Sequence, residues 1–184
     1  MTRAWTVALV GAESTGKTTL ARDIASALEA RGQRVVVVDE ALREFCALRG
    51  RTPHQDEQEG LAREQTRRIA EAAASEAIDV VVADTTALMI AVYSDFVFGD
   101  RKLYIAAEAA QALIDLTLLT ALDLPWQADG LQRDGEHVRV PVDALVRAAL
   151  ERAGVAVEPV AGSGSDRLAA AMAAIDQARS RAKR

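Results

Sequence analysis

Short apolar runs alternate along the chain with longer stretches in which apolar residues recur every three or four positions. The short runs predict five β-strands, at residues 5–10, 35–38, 80–83, 116–120 and 155–160. The longer stretches predict helices at 18–30, 55–76, 86–98 and 102–114, then one that Pro141 opens and Gly154 ends, and a last one capped by Ser165 or Asp166. This alternation is typical of an α/β fold in which helices cover a parallel sheet.

Composition narrows the class of protein. The chain has 184 residues and a net charge of -5, which suit one acidic domain over 1–178 and a basic tail at 179–184 that we expect to be disordered. The net negative charge argues against a nucleic acid or an anionic membrane as partner. The single Cys46 precludes an internal disulfide and favours a reducing, cytoplasmic location. No apolar run approaches the length of a membrane span, and we expect no leader segment.

The most specific motif is G-x-x-x-x-G-K-[ST] at residues 11–18, between the first predicted strand and the first predicted helix. Glycines let successive backbone N–H groups turn inward around an anion, and the helix N-terminus adds positive potential. In such a loop Lys17 reaches the β- and γ-phosphates, and the Thr18 hydroxyl is a ligand of Mg²⁺. The expected nucleotide-binding residues are Gly11, Ala12, Glu13, Ser14, Thr15, Gly16, Lys17, Thr18 and Thr19.

An acidic residue at the end of a neighbouring strand is the second requirement of such a site. Asp84 follows the third predicted strand, where it can hold hydrated Mg²⁺ together with Thr18. An aspartate in this position is also a common helix N-cap, and one residue can serve both purposes. Because the phosphate loop is present, we favour the metal-linked role and expect ATP and Mg²⁺ as cofactors.

The phosphate loop does not define the reaction. The sequence lacks the Asn-Lys-x-Asp segment of most GTPases and the signature helix of transporter ATPases, and it is short for a ring-forming ATPase. The remaining short class is the small-molecule phosphotransferase. Such an enzyme needs an acceptor-binding carboxylate and an arginine-bearing lid.

Candidate carboxylates lie directly after the second predicted strand, at the sheet edge where ligands bind. Glu40, or alternatively Asp39, can accept the proton of a substrate hydroxyl while Arg43 orients the substrate or a phosphate. The competing interpretation is a helix-start cluster, since acidic residues favour first turns.

The candidate lid is the polar segment at about 125–140, which contains two glycines and precedes the Pro141 helix. Arg133 or Arg139 could move onto the transferring phosphate and neutralise its charge. The alternative is a solvated loop whose arginines have no catalytic role.

Taken together, five segments resemble the ribosylnicotinamide kinase domain of NadR-type proteins, a P-loop family catalogued among AAA-like ATPase domains. The matching segments are the phosphate loop with its Glu13, Glu40-x-x-Arg43-Glu44-Phe45, Gln65, Asp84-Thr85 and Pro125-Trp126-x-x-Asp129-Gly130. The resemblance covers residues 5 to about 175. Of the five segments, only the phosphate loop identifies a class of protein by itself. The resemblance implies a three-layer P-loop sandwich of the small-kinase type with strand order 2-3-1-4-5.

The resemblance also implies an activity, namely transfer of the ATP γ-phosphate to the 5′-hydroxyl of nicotinamide riboside to give nicotinamide mononucleotide. Glu40 would be the base, Lys17 and a lid arginine would stabilise the phosphoryl charge, and Thr18 and Asp84 would hold Mg²⁺. The expected substrate-side residues are Asp39, Glu40, Arg43, Gln65, Asp84 and Tyr93, the last stacking on the pyridine ring. Two alternatives stay open: a kinase of another nucleoside or small metabolite, and a regulatory ATP-binding switch ATPase.

Overall fold

The computed structural model describes residues 3–127 and 135–182. Its centre is a five-stranded parallel sheet in the order β2-β3-β1-β4-β5. The strands are β1 (Trp5–Val10), β2 (Val35–Val38), β3 (Val80–Asp84), β4 (Leu116–Thr120) and β5 (Val157–Val160). The predicted fold class and strand order are confirmed. The fifth strand is two residues shorter than predicted, because its pairing with β4 begins only at Val157.

Seven α-helices surround the sheet in the described ranges. They are α1 (Lys17–Glu29), α2 (Ala41–Arg49), α3 (Gln58–Ala74), α4 (Ala87–Phe98), α5 (Tyr104–Gln111), α6 (Arg139–Ala153) and α7 (Gly164–Ala182). Short 3-10 turns at Gln55–Glu57 and Glu136–Val138 precede α3 and α6. The helix predicted from residue 55 therefore becomes regular only at Gln58, and Pro141 lies within the first turn of α6 rather than at its start.

The core forms on both faces of the sheet. On one face α1 and α7 bury apolar side chains against the central strands, including Ile24, Leu28 and Ile175. On the other face α3 covers β2 and β3, while α4, α5 and α6 form a second apolar cluster. A fully buried isoleucine or leucine contributes roughly 1.5–3 kcal/mol to folding, so these two layers hold the carboxyl edge of the sheet in place.

Helix α4 is buried on nearly all sides, because α3, α5 and α6 pack around it. Thr86 is the N-cap of this helix, and its hydroxyl accepts a hydrogen bond from the Leu88 N–H. The same hydroxyl donates to Gln111 Oε1 at 2.7 Å. These bonds fix the point at which the chain leaves β3 for α4. Across the described ranges no helix is both long and apolar enough to cross a membrane.

Candidate active site

The phosphate loop joins β1 to α1 and is held against β4. Gly11 has φ +146°, and a Cβ atom there would overlap the Thr120 hydroxyl, so only glycine fits. The Thr15 hydroxyl lies 2.7 Å from that of Thr120 and donates to Ala12 O at 2.8 Å. These contacts fix the shape of the phosphate loop, both within the loop and against Thr120 at the end of β4.

Lys17 lies at the centre of this loop. Its Nζ donates to the carbonyls of Gly11 and Ala12, at 2.9 and 2.8 Å. The ammonium is therefore held over the anion-binding face of the loop by main-chain oxygens, a position from which it can move onto a phosphate.

A cavity of about 720 Å³ opens from the loop along the carboxyl edge of the sheet. This volume lies within the range of small-molecule sites. Among the predicted site residues, those on its wall are Glu13, Ser14, Thr15, Gly16, Lys17, Thr18, Thr19, Glu40, Arg43 and Tyr93. The structure therefore brings the nucleotide loop and the acceptor-side residues into one cavity.

Asp84 is in an environment that suits a ligand of Mg²⁺, and Thr18, the other predicted ligand, is on the cavity wall. The Asp84 side chain is 2% exposed, and its Oδ1 has no hydrogen-bond partner among the described residues. A buried carboxylate oxygen without a partner is unfavourable unless a cation or an ordered water meets it. Within the described ranges no three His, Cys, Asp or Glu side chains cluster around a metal position.

Glu40 is the carboxylate that faces the nucleotide loop. It is the residue before α2, and its side chain is only 14% exposed. Burial raises the pKa of Glu40; the Lys17 charge opposes this rise, the Asp84 charge adds to it, and Arg43 opposes it. The Arg43 Nε lies 3.5 Å from Glu40 Oε2. This carboxyl holds a proton more readily than an exposed glutamate, which suits a group that accepts one from a substrate.

Asp39, the alternative base, is exposed and lies outside the cavity wall. Asp39 and Glu40 are the two residues between the end of β2 and the start of α2, and the turn of the chain there places their carboxylates in different surroundings. Between the two, the geometry favours Glu40.

Gln65 is not among the residues of the cavity wall, so its predicted contact with substrate stays a prediction. Its side chain is fully buried between α2 and α4, where Oε1 accepts from the Ala41 N–H at 2.8 Å. Its Nε2 donates to Thr85 O at 3.4 Å. The amide satisfies main-chain groups beside both Glu40 and Asp84, so Gln65 positions the site from behind.

The two candidate lid arginines, Arg133 and Arg139, lie in different parts of the chain. Arg133, with Asp129 and Gly130, lies outside the described residues. Arg139 is 5% exposed at the start of α6 and donates to Leu124 O at 2.9 Å. It is absent from the cavity wall and supports the segment after β4, which makes it unsuited to move onto a phosphate.

Arg167 is a site residue that the sequence prediction missed. It is 4% exposed in the first turn of α7, where it lines the cavity. Its guanidinium donates to Thr15 O and Asp123 Oδ1, both at 2.8 Å, and to Gly162 O at 2.6 Å. A cation is unfavourable at a helix N-terminus, and this conflict with the helix dipole was the available signal.

Comparisons with known proteins agree with the observed fold. The family model described as "AAA domain" matches residues 6–167. No curated protein matches the chain in sequence. Two solved structures of NadR protein, one with NAD and AMP-PNP and one with NR, match 95% of this chain at 21% identity, with TM-scores of 0.76 and 0.77. The chain spans about half of those proteins, 49% of each.

A thymidylate kinase from Ehrlichia chaffeensis matches 95% of this chain and 98% of its own length, at 14% identity and a TM-score of 0.63. These likenesses show that the chain shares its fold with the NadR and thymidylate kinase structures. With the model match over most of its length, the chain belongs to the AAA domain family.

Proposed function

We propose that the protein is an ATP-dependent kinase that phosphorylates the 5′-hydroxyl of nicotinamide riboside to give nicotinamide mononucleotide. The observation that carries this proposal is the position of Glu40 in the same cavity as Lys17. The loop around Lys17 suits the β- and γ-phosphates of ATP, and the carboxylate stands where a phosphoryl acceptor would enter.

The charges on the acceptor side favour a hydroxyl over a phosphate as the acceptor. A phosphate already carries negative charge, and it would meet Glu40 and the nearby Asp84. Arg43 is also on the cavity wall, but its Nε lies 3.5 Å from Glu40 Oε2, so its charge is directed towards that carboxylate. An alcohol instead offers a proton to the carboxylate, and the pyridinium charge of nicotinamide riboside is compatible with an acidic wall.

Each remaining group has a distinct task in the proposed reaction. Lys17 binds the β- and γ-phosphates. Glu40 takes the hydroxyl proton while the acceptor oxygen bonds to the γ-phosphorus, and the bond from that phosphorus to the bridging oxygen breaks, so that ADP leaves. Thr18 and Asp84 would hold Mg²⁺, which neutralises phosphate charge when bound. Arg133 is the proposed lid arginine. Arg43 and Tyr93, both on the cavity wall, would orient the acceptor, with Tyr93 available to stack on the pyridine ring.

The choice of acceptor is supported by the NadR structures. One of them contains AMP-PNP and NAD, and the other contains NR, which we read as nicotinamide riboside. The described chain matches one half of those proteins, so the acceptor assigned to it is part of this proposal.

The test is ADP release with Mg²⁺-ATP across a matched acceptor panel. Nicotinamide riboside, thymidine and adenosine would be compared with thymidine monophosphate, which presents a phosphate. We expect the largest acceptor-dependent rate with nicotinamide riboside and none with the monophosphate. Faster turnover of the monophosphate would overturn the role of Glu40. Slow hydrolysis that no small molecule accelerates would instead support a switch ATPase.

A further inference from the structure

Thr85 combines an unusual backbone with an unused polar group in the cavity wall. It has φ +76°, a left-handed conformation that is a genuine outlier for a β-branched residue. Its side chain is 1% exposed and lines the cavity, and its Oγ1 has no hydrogen-bond partner within the described ranges. A buried hydroxyl without a partner is rare and calls for a ligand or water to meet it.

The surroundings hold Thr85 in this conformation. Its N–H donates to Leu9 O on β1 at 3.1 Å, and its carbonyl accepts from the buried Gln65 amide at 3.4 Å. One neighbour, Asp84, ends β3, and the other, Thr86, is the N-cap of the buried helix α4. Unfavourable backbone conformations persist only where the surrounding structure fixes them, and they concentrate at functional sites.

The next residue provides an internal comparison. The Thr86 hydroxyl is fully used, because it accepts from the Leu88 N–H and donates to Gln111. Two adjacent buried threonines therefore differ in how their hydroxyls are used: that of Thr86 stabilises the fold, whereas that of Thr85, a residue of the cavity wall, has no partner within the described ranges.

From this difference we infer that the Thr85 hydroxyl hydrogen-bonds the hydroxylated acceptor and orients its attacking oxygen towards Glu40, which makes Thr85 a residue that selects alcohols as acceptors. The inference rests on the proposed kinase function. A hydroxyl can donate to and accept from an alcohol group, and a site that hydrogen-bonds a substrate hydroxyl discriminates strongly against analogues that lack it.

The test compares Thr85→Val, Thr85→Ser and Thr86→Val with the wild-type protein, using nicotinamide riboside as the acceptor. Thr85→Val keeps the branched shape and loses the hydroxyl, so we expect kcat/KM for the acceptor to fall about 10- to 100-fold while the KM for ATP stays unchanged. Thr85→Ser should recover most of the activity. Thr86→Val should lower the unfolding midpoint in urea without this change in acceptor kinetics.

Three other results would overturn the inference. Wild-type kinetics in Thr85→Val would show that the hydroxyl is not used. A rise in the KM for ATP alone would place the hydroxyl on the nucleotide side. Failure of the wild-type protein to use any alcohol acceptor would contradict the proposed function as well, and this result is distinguishable because it appears before any variant is made.

Discussion

At the scale of single residues, Glu40 has a raised pKa because it is buried in the cavity, with Asp84 adding to the rise. Its folded pKa lies above its unfolded value, so the stabilisation of its protonated form is complete below the unfolded pKa. That stabilisation is lost as the pH rises through the folded pKa. Above the folded pKa the ionised carboxylate therefore reduces stability, while this ionised form is the one that can accept a proton.

Glu40→Gln separates these two effects. We expect kcat to fall about 10²- to 10⁴-fold, the magnitude usual for a general base, with little change in ATP affinity. The unfolding midpoint in urea at neutral pH should be equal to or above that of the wild-type protein, because the buried charge is gone. Equal losses of kcat and ATP affinity would remove Glu40 from the chemical step.

The pH dependence of kcat checks the same residue independently. Wild-type kcat should fall on the acidic side at a pH above the ordinary range of a glutamate, since burial raises the pKa of Glu40. The residual activity of Glu40→Gln should lack this acidic limb. A limb that survives the substitution unchanged would assign it to another group.

At the scale of elements, Gln65 links α3 to the starts of α2 and α4. Gln65→Met keeps a similar volume and leaves the Ala41 N–H without its acceptor, which costs about 1–3 kcal/mol of unfolding free energy. We expect the KM for the acceptor to rise, because Glu40 lies next to the released N–H, and the KM for ATP to stay the same. Urea unfolding and steady-state kinetics measure both.

The matched control is Gln55→Met, in which an exposed amide loses its bond to Asp100. Its free energy of unfolding should change by less than about 0.5 kcal/mol. If both variants lost equal stability, the buried position of Gln65 would not explain its effect.

Helix α7 is joined to the phosphate loop through Arg167, whose guanidinium reaches Thr15 O and Gly162 O. Arg167→Met should cost about 2–3 kcal/mol of unfolding free energy, since hydrogen bonds to a charged group are among the stronger ones. It should also raise the KM for ATP, because the loop loses a support. Arg31→Met breaks an exposed ion pair with Asp176 and should cost at most about 1 kcal/mol. Similar losses in the two variants would contradict the role of Arg167.

These elements also show how far the sequence could predict the structure. The strands and the phosphate loop are local patterns, because valine-rich runs and glycine spacing report directly on backbone conformation. The roles of Gln65 and Arg167 depend on how α2, α3 and α7 pack, and a polar residue in a helical stretch does not show which way it points. The choice between Asp39 and Glu40 likewise depends on the conformation of the two-residue connection between β2 and α2.

At the scale of the whole molecule, parallel strands bring distant segments to one sheet edge. The phosphate loop after β1, Glu40 after β2 and Thr85 after β3 all meet the same cavity. The strand order makes this possible, since β3 lies between β1 and β2. A ligand that spans this edge would contact the phosphate side and the acceptor side together.

The most direct measurement is mass spectrometry of the products formed from Mg²⁺-ATP and nicotinamide riboside. The wild-type protein should form nicotinamide mononucleotide and ADP in a one-to-one ratio. The control variant Lys102→Ala, which changes an exposed lysine outside this cavity, should do the same. Lys17→Ala should form neither, because it removes the ammonium from the phosphate loop. ADP formed with free phosphate and no phosphorylated nucleoside, or a product that persists in Lys17→Ala, would contradict the account.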